Sequence, residues 1–143
     1  MRYLGLDFGD KTIGLALASP DGRIATGLTT LRRSDPAALR PSIRQLGEYI
    51  ALYGITHAVL GFPKHMDGSL SERCMVTQAF ADKLQRNFKR LQIILWDERL
   101  STQAVARMYE GDRTRYKDKV DEMAAVYILQ GYLDSQKEKK MEF

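Results

Sequence analysis

The sequence predicts an α/β domain whose mixed five-stranded sheet has three antiparallel strands, then two from βα crossovers, with helices on both faces. Strand-like apolar runs separated by turn residues follow one another from Arg2 to Leu31. Two short apolar runs recur at His57 to Gly61 and Leu91 to Trp96, and segments of helical period fall between and after them. Strands in direct succession form antiparallel hairpins, whereas strands joined through helices return parallel, so the sheet is mixed. At 143 residues, 44% hydrophobic and 28% charged, the chain has the length and composition of one folded domain.

The elements follow in order. Arg2 to Phe8 alternate around a leucine-rich run, Gly9-Asp10-Lys11 interrupts, and Thr12 to Ser19 resumes with Ile13, Leu15 and Leu17 on one face. This pattern is a hairpin. Pro20-Asp21-Gly22 supplies a second turn before a third strand from about Arg23 to Leu31. Ser34 or Asp35 can cap a helix that Pro36 starts, or Pro41 can mark its first turn, and the helix runs to about Tyr53. His57 to Gly61 has the look of a strand buried on both faces, and Gly61-Phe62-Pro63 breaks it into a loop through Gly68.

From Leu70 to about Arg90, Val76, Phe80, Leu84 and Phe88 give a helix with an apolar side, while Lys83 and Asn87 belong to its polar residues. Leu91 to Trp96 is a second strand of the buried type and ends in Asp97-Glu98-Arg99. Ser101 or Thr102 can cap a short helix to about Tyr109, Glu110 to Lys119 is polar and basic, and Val120 to Leu133 is a last helix. The stretch from about 135 to 143 reads as a flexible tail.

Charge and cysteine content narrow the function classes. Lys and Arg number 22 against 18 Asp and Glu, a net charge of +4 that favours contact with polyanions. Withdrawing acids into a metal site leaves the outer face more basic still. Cys74 is the only cysteine, so an intrachain disulfide and a thiolate-rich zinc site are both excluded. The opening MRYLGLDFG lacks the apolar core of a signal peptide, and no apolar stretch is long enough to cross a bilayer. A cytoplasmic location is the expectation.

Three acids stand out. Asp7 interrupts an apolar strand, where an ionised carboxylate is costly to desolvate without a cationic partner, and the glycines around it clear space for a ligand. Asp97 and Glu98 emerge at the carboxyl end of a strand, the usual place for sites in open α/β sheets. Alternation sends them to opposite sides, and the longer Glu98 is favoured to reach Asp7 while Asp97 caps backbone nearby. Asp121 opens the last helix on a stripe with Ala124, Ala125, Ile128 and Gly131 or Tyr132, whose small members let the helix approach the sheet. There it can serve the helix dipole or reach a metal.

Carboxylates from separate elements suit hard cations such as Mg²⁺ or Mn²⁺, one ion or two, that also accept substrate phosphate oxygens. Such ions activate water and stabilise a leaving oxygen in phosphodiester hydrolysis. Asp7, Glu98 and Asp121 are therefore the candidate catalytic and metal-binding residues. Arg113, Arg115 and Lys117, with Tyr116 between them and Arg107 upstream, suit phosphate contacts and base stacking. Lys11, Arg99, and Lys64 with His65 in the GFPKHMDGS loop complete the candidate nucleic-acid set; a solvated loop is the plain alternative for these cations.

Taken in order, LGLDFGDKTIGLALAS, GFPKHMDGS, DERLST and KVDEMAAVYILQGYLD resemble the YqgF/RuvX family across nearly the whole chain. The resemblance implies an RNase H-like fold and a Holliday junction resolvase-like nuclease that matures the 5′ end of pre-16S ribosomal RNA. It carries a first-strand acid onto Asp7, the acid of the DER phrase onto Glu98 rather than Asp97, and a final-helix acid onto Asp121. The chain departs from the family at Asp10, where a small hydroxyl residue is common, at Thr12, where a basic one is, and at Lys64-His65, where an apolar residue and asparagine are common. These departures bear on substrate preference.

The implied function is a metal-dependent endonuclease acting on structured RNA, with branched DNA as the second substrate class. A nucleic-acid-binding ribosome assembly factor with idle acids is the alternative of a different class. Asp7-Phe8-Gly9 after a first strand also resembles the phosphate loop of actin-like and sugar-kinase ATPases. Those enzymes clasp nucleotide between two such domains, and 143 residues supply one.

Overall fold

The computed structural model describes residues 1–63, 71–97 and 120–141. The first three strands are β1 (Tyr3–Phe8), β2 (Thr12–Ala18) and β3 (Ala25–Arg32). β2 pairs antiparallel with both β1 and β3, and the Gly9 N–H donates to the Thr12 carbonyl at 2.7 Å to close the first turn. β3 begins two residues later than alternation suggests. Asp21 accepts from the Arg23 N–H at 3.1 Å and the Ser19 hydroxyl accepts from the Ile24 N–H at 3.1 Å, which keeps both amides in the turn.

After β3, Asp35 accepts from the Ala37 N–H at 2.9 Å in a local turn, so helix α1 (Arg40–Tyr53) takes Pro41, not Pro36, into its first turn. Gly54 ends α1 at φ 61°, a left-handed conformation that glycine adopts without a Cβ clash. β4 (His57–Phe62) then pairs parallel with β1, and helix α2 (Glu72–Asn87) is capped by Ser71, whose hydroxyl accepts from the Cys74 N–H at 3.1 Å. β5 (Gln92–Asp97) pairs parallel with β4, giving the order β3-β2-β1-β4-β5.

Two cores sandwich the sheet. On one face Leu4, Leu6 and Phe8 of β1 pack with Leu46 of α1 and with Phe80 and Leu84 of α2. On the other face Ala16 and Val59 meet Ala125, Val126, Ile128 and Leu129 of helix α3 (Val120–Met141). The alternation of β1 thus serves both faces, with α1 and α2 on one side and α3 on the other.

Three expectations are corrected. Val76 is 47% exposed, because the buried stripe of α2 runs through Cys74, Thr77, Phe80, Ala81 and Leu84. β5 is not buried on both faces: it forms one margin of the five-stranded sheet and leaves Leu95 36% exposed. α3 continues to Met141, past the end near Leu133 and through most of the expected tail. Lys137-Glu138-Lys139-Lys140-Met141 are all good helix formers, and no glycine or proline intervenes to stop them. Among the described residues no helix is long and apolar enough to cross a membrane.

Gln130 ties α3 to the start of β3. Its Oε1 accepts from the Ala25 N–H at 2.9 Å, and its Nε2 donates to the Arg23 carbonyl at 2.9 Å and to Asp134 at 2.9 Å. Gln130→Ala leaves two backbone groups without these partners. A loss of about 2 kcal/mol is expected in urea unfolding.

Candidate active site

Asp7 lies one residue before the end of β1, half-buried, opposite Gly14 of β2. Leu4, Leu6 and Phe8 face α1 and α2, so the period of two turns Tyr3, Gly5 and Asp7 toward α3. The helix runs antiparallel to the strand along this side. The Tyr132 ring lies 5.7 Å from that of Tyr3, and a Cβ on Gly5 would come within 2.6 Å of Leu129 Cβ and 2.9 Å of the Ala125 carbonyl oxygen.

The next step along both elements therefore brings the start of α3 to the end of the sheet where β1 finishes. Position 121, the second residue of α3, lies one helical turn before Ala125 on the same stripe. Asp7 and the backbone of Asp121 are thus on one face and at one end. Gly5, expected to make room for a ligand, makes room for the helix instead. Gly9 closes a turn, with Thr12 Oγ1 3.0 Å from where its Cβ would be.

β4 and β5 run parallel to β1, so their carboxyl ends reach the same edge. Ile94 and Trp96 of β5 pack in the α3-side core and Ile93 packs in the other. By that alternation Asp97 falls on the α1 and α2 side, away from Asp7. Glu98 lies outside the described residues, as do Lys64, His65, Arg99, Arg107, Arg113, Arg115 and Lys117. Lys11 is exposed in the turn between β1 and β2. Among the described residues no three His, Cys, Asp or Glu side chains gather in reach of one ion. Asp7 nevertheless offers the hard oxygen donors that Mg²⁺ or Mn²⁺ prefers, whereas Cys74 is buried beneath Ser71.

Two arginines that sequence reasoning missed hold the turn beside Asp7. Arg73 of α2 donates to the Phe8 carbonyl and makes an ion pair with Asp10 at 2.7 Å. Arg33, just after β3, donates from Nη2 to the Gly9 carbonyl at 2.6 Å and from its backbone N–H to the Lys11 carbonyl at 2.8 Å. Asp10 is well exposed, so the ion pair itself adds little; the bonds to backbone carbonyls are what fix the turn. Burial lowers the Arg33 pKa from its ordinary value, against the opposing pull of Asp10. No local pattern announces either arginine, because each reaches a turn distant in the chain.

This architecture and chain have recognisable relatives. A protein of Thermus thermophilus, RuvC in complex with a Holliday junction substrate, superposes with a TM-score of 0.62 at 11% identity, covering 96% of each chain. That likeness shows the shared RNase H-like fold. In sequence, the protein named "Putative pre-16S rRNA nuclease" of Acetivibrio thermocellus is 45% identical over 139 residues, covering 94% of this chain and 96% of its own. The protein of the same name from Agathobacter rectalis is 46% identical over 137 residues, covering 94% and 95%. A family profile described as "RuvX: Holliday junction resolvase" matches residues 1–135. With that match spanning nearly all of the sequence, and with relatives alike along their whole lengths, the chain belongs to the RuvX family.

Proposed function

We propose that the chain is a cytoplasmic, divalent-metal-dependent endonuclease that hydrolyses a phosphodiester bond of structured RNA in 5′-end maturation of pre-16S rRNA. The observation that carries this reading is the half-buried Asp7 at the carboxyl end of β1, on the side where α3 begins. The name carried by relatives near 45% identity supports the choice of RNA. Asp7, Glu98 and Asp121 would hold the Mg²⁺ or Mn²⁺. Bound there, such ions supply a hydroxide-like nucleophile near neutral pH and charge stabilisation for the leaving oxygen.

The protein's own contribution is position. Asp7 is fixed by its pairing with Gly14 of β2, one residue beyond the last β1 pair with β4 at Leu6, and the turn beyond it is held by Arg33 and Arg73, so little reorganisation accompanies substrate binding. Lys11, Lys64, His65, Arg99, Arg107, Arg113, Arg115 and Lys117 would line the path of the substrate phosphates.

The test is an end-mapped digestion of a labelled pre-16S rRNA fragment with Mg²⁺ or Mn²⁺, alongside a four-way DNA junction. Cutting at the mature 5′ end of the RNA, abolished by EDTA, is the expected result. Paired symmetric cuts in the junction by a dimeric protein would instead favour the DNA reading that the family description suggests. Binding without cleavage in any ion would leave an assembly factor.

A further inference from the structure

Asp7 and Phe8 are neighbours on β1 but face opposite ways, and on the Phe8 side a cavity of about 420 Å³ opens between the end of the strand and helix α2. Its wall is apolar at Leu39, Val76 and Phe80, and cationic at Arg33, Lys83 and Arg86. The carboxylate at its rim, Asp10, is already engaged by Arg73. A second cavity, of about 470 Å³, shares Lys83 and is lined by Arg40 and Arg44 of α1. The two adjoining hollows therefore present a row of cations along the seam of α1 and α2, on the sheet face away from Asp7.

Arg33 sets this seam apart from an ordinary solvated basic surface. Only 9% of it is exposed; Nη2 and Nε reach the Gly9 and Pro36 carbonyls, while the buried Nη1 has no hydrogen-bond partner among the described residues. A guanidinium withdrawn from water with a donor unfilled is costly, and an anion seated in the cavity that Arg33 lines would offset its buried charge. Concave walls exclude a flat lipid surface, and two hollows that share Lys83 suit successive phosphates better than one isolated anion. The apolar side offers a face on which a base can rest.

We propose that this seam binds a single-stranded segment of the nucleic-acid substrate, with phosphates on Arg33, Lys83 and Arg86 and a base against Leu39 and Val76. The identity of the ligand rests on the nuclease reading above; the site itself is separate from the acids that reading uses. A strand leaving Asp7 has only to pass over the Gly9-Asp10-Lys11 turn, exposed at Asp10 and Lys11, to enter it.

The test is fluorescence anisotropy of the full chain with a labelled oligouridylate of about ten nucleotides, in EDTA. Lys83→Gln/Arg86→Gln is expected to weaken binding at least about tenfold and to flatten the slope of log K against log salt by about 1.4, roughly 0.7 for each phosphate left without its cation. Lys89→Gln/Arg90→Gln removes the same charge from exposed positions beyond α2 and should change affinity less than about twofold. Equal weakening by the two double variants overturns the proposal, and so does competition by polyglutamate as strong as by RNA of equal charge. Binding in EDTA needs no cleavage. A chain that never cuts but loses affinity only through Lys83 and Arg86 would sink the nuclease reading and leave the seam standing.

Discussion

Asp7→Asn is expected to slow RNA cleavage roughly a thousandfold, the equivalent of about 4 kcal/mol of transition-state stabilisation. Asparagine keeps the shape of the side chain and one oxygen, but it loses the charge that a divalent ion needs from its ligand. The position is in the paired part of β1, with Gly14 opposite it in β2, so the replacement leaves the ladder in place. Thermal unfolding of the variant should stay within a few degrees of the parent, since a surface-adjacent isosteric change seldom costs much. Its affinity for the oligouridylate in EDTA should be unchanged, because the seam lies on the other face. Cleavage at the parental rate would remove Asp7 from the catalytic set.

The largest expected effect on stability comes from adding one methyl group at Gly5. The new Cβ would stand 2.6 Å from Leu129 Cβ and 2.9 Å from the Ala125 carbonyl oxygen, both tied to the helix backbone and unable to swing aside. Relief requires α3 to lift from β1, and Gly5→Ala is expected to cost at least about 3 kcal/mol in urea unfolding. Gly27→Ala is the matched comparison. There the near atoms are the Oε2 and Cβ of Glu122, at 3.1 and 3.3 Å; the carboxylate end can swing aside and the backbone-tied Cβ is 0.7 Å farther off than that of Leu129 is from Gly5, so a loss under about 1 kcal/mol is expected. Should the two cost the same, α3 does not depend on Gly5 for its approach. The same lift would carry position 121 away from Asp7. Cleavage by Gly5→Ala should therefore fall even at temperatures where the variant remains folded.

Several features of the candidate site were legible because they are local. An acid amid GLDFG has no ordinary role in a strand interior, and DER directly after LQIILW places acids at a strand's carboxyl end whatever the rest of the chain does. The stripe Ala124, Ala125, Ile128 and Tyr132 likewise showed in advance which side of the last helix approaches the sheet, and Ala125 and Ile128 are buried there. Alternation puts Asp97 and Glu98 on opposite sides without saying which side is Asp7's; the packing of Ile94 and Trp96 on the α3 side is what sets Asp97 apart from Asp7. The arginines resisted sequence reading altogether. Arg33 and Arg73 look like surface charges in their own segments, and only the folded chain brings them to the carbonyls of Gly9 and Phe8.

By itself the sequence determined the kind and order of the elements among the described residues, the mixed sheet and the strand position of Asp7, since side-chain period and turn chemistry act over a few residues; the short helix expected to end near Tyr109 lies outside the described residues. Only the tertiary structure decided that Gly5 receives a helix, that β5 forms a margin of the sheet, that two guanidinium groups clamp the first turn, and that α1 and α2 meet in a cationic seam. Those outcomes depend on how closely residues far apart in the chain approach, and packing distances of that kind leave no periodic trace in any one segment.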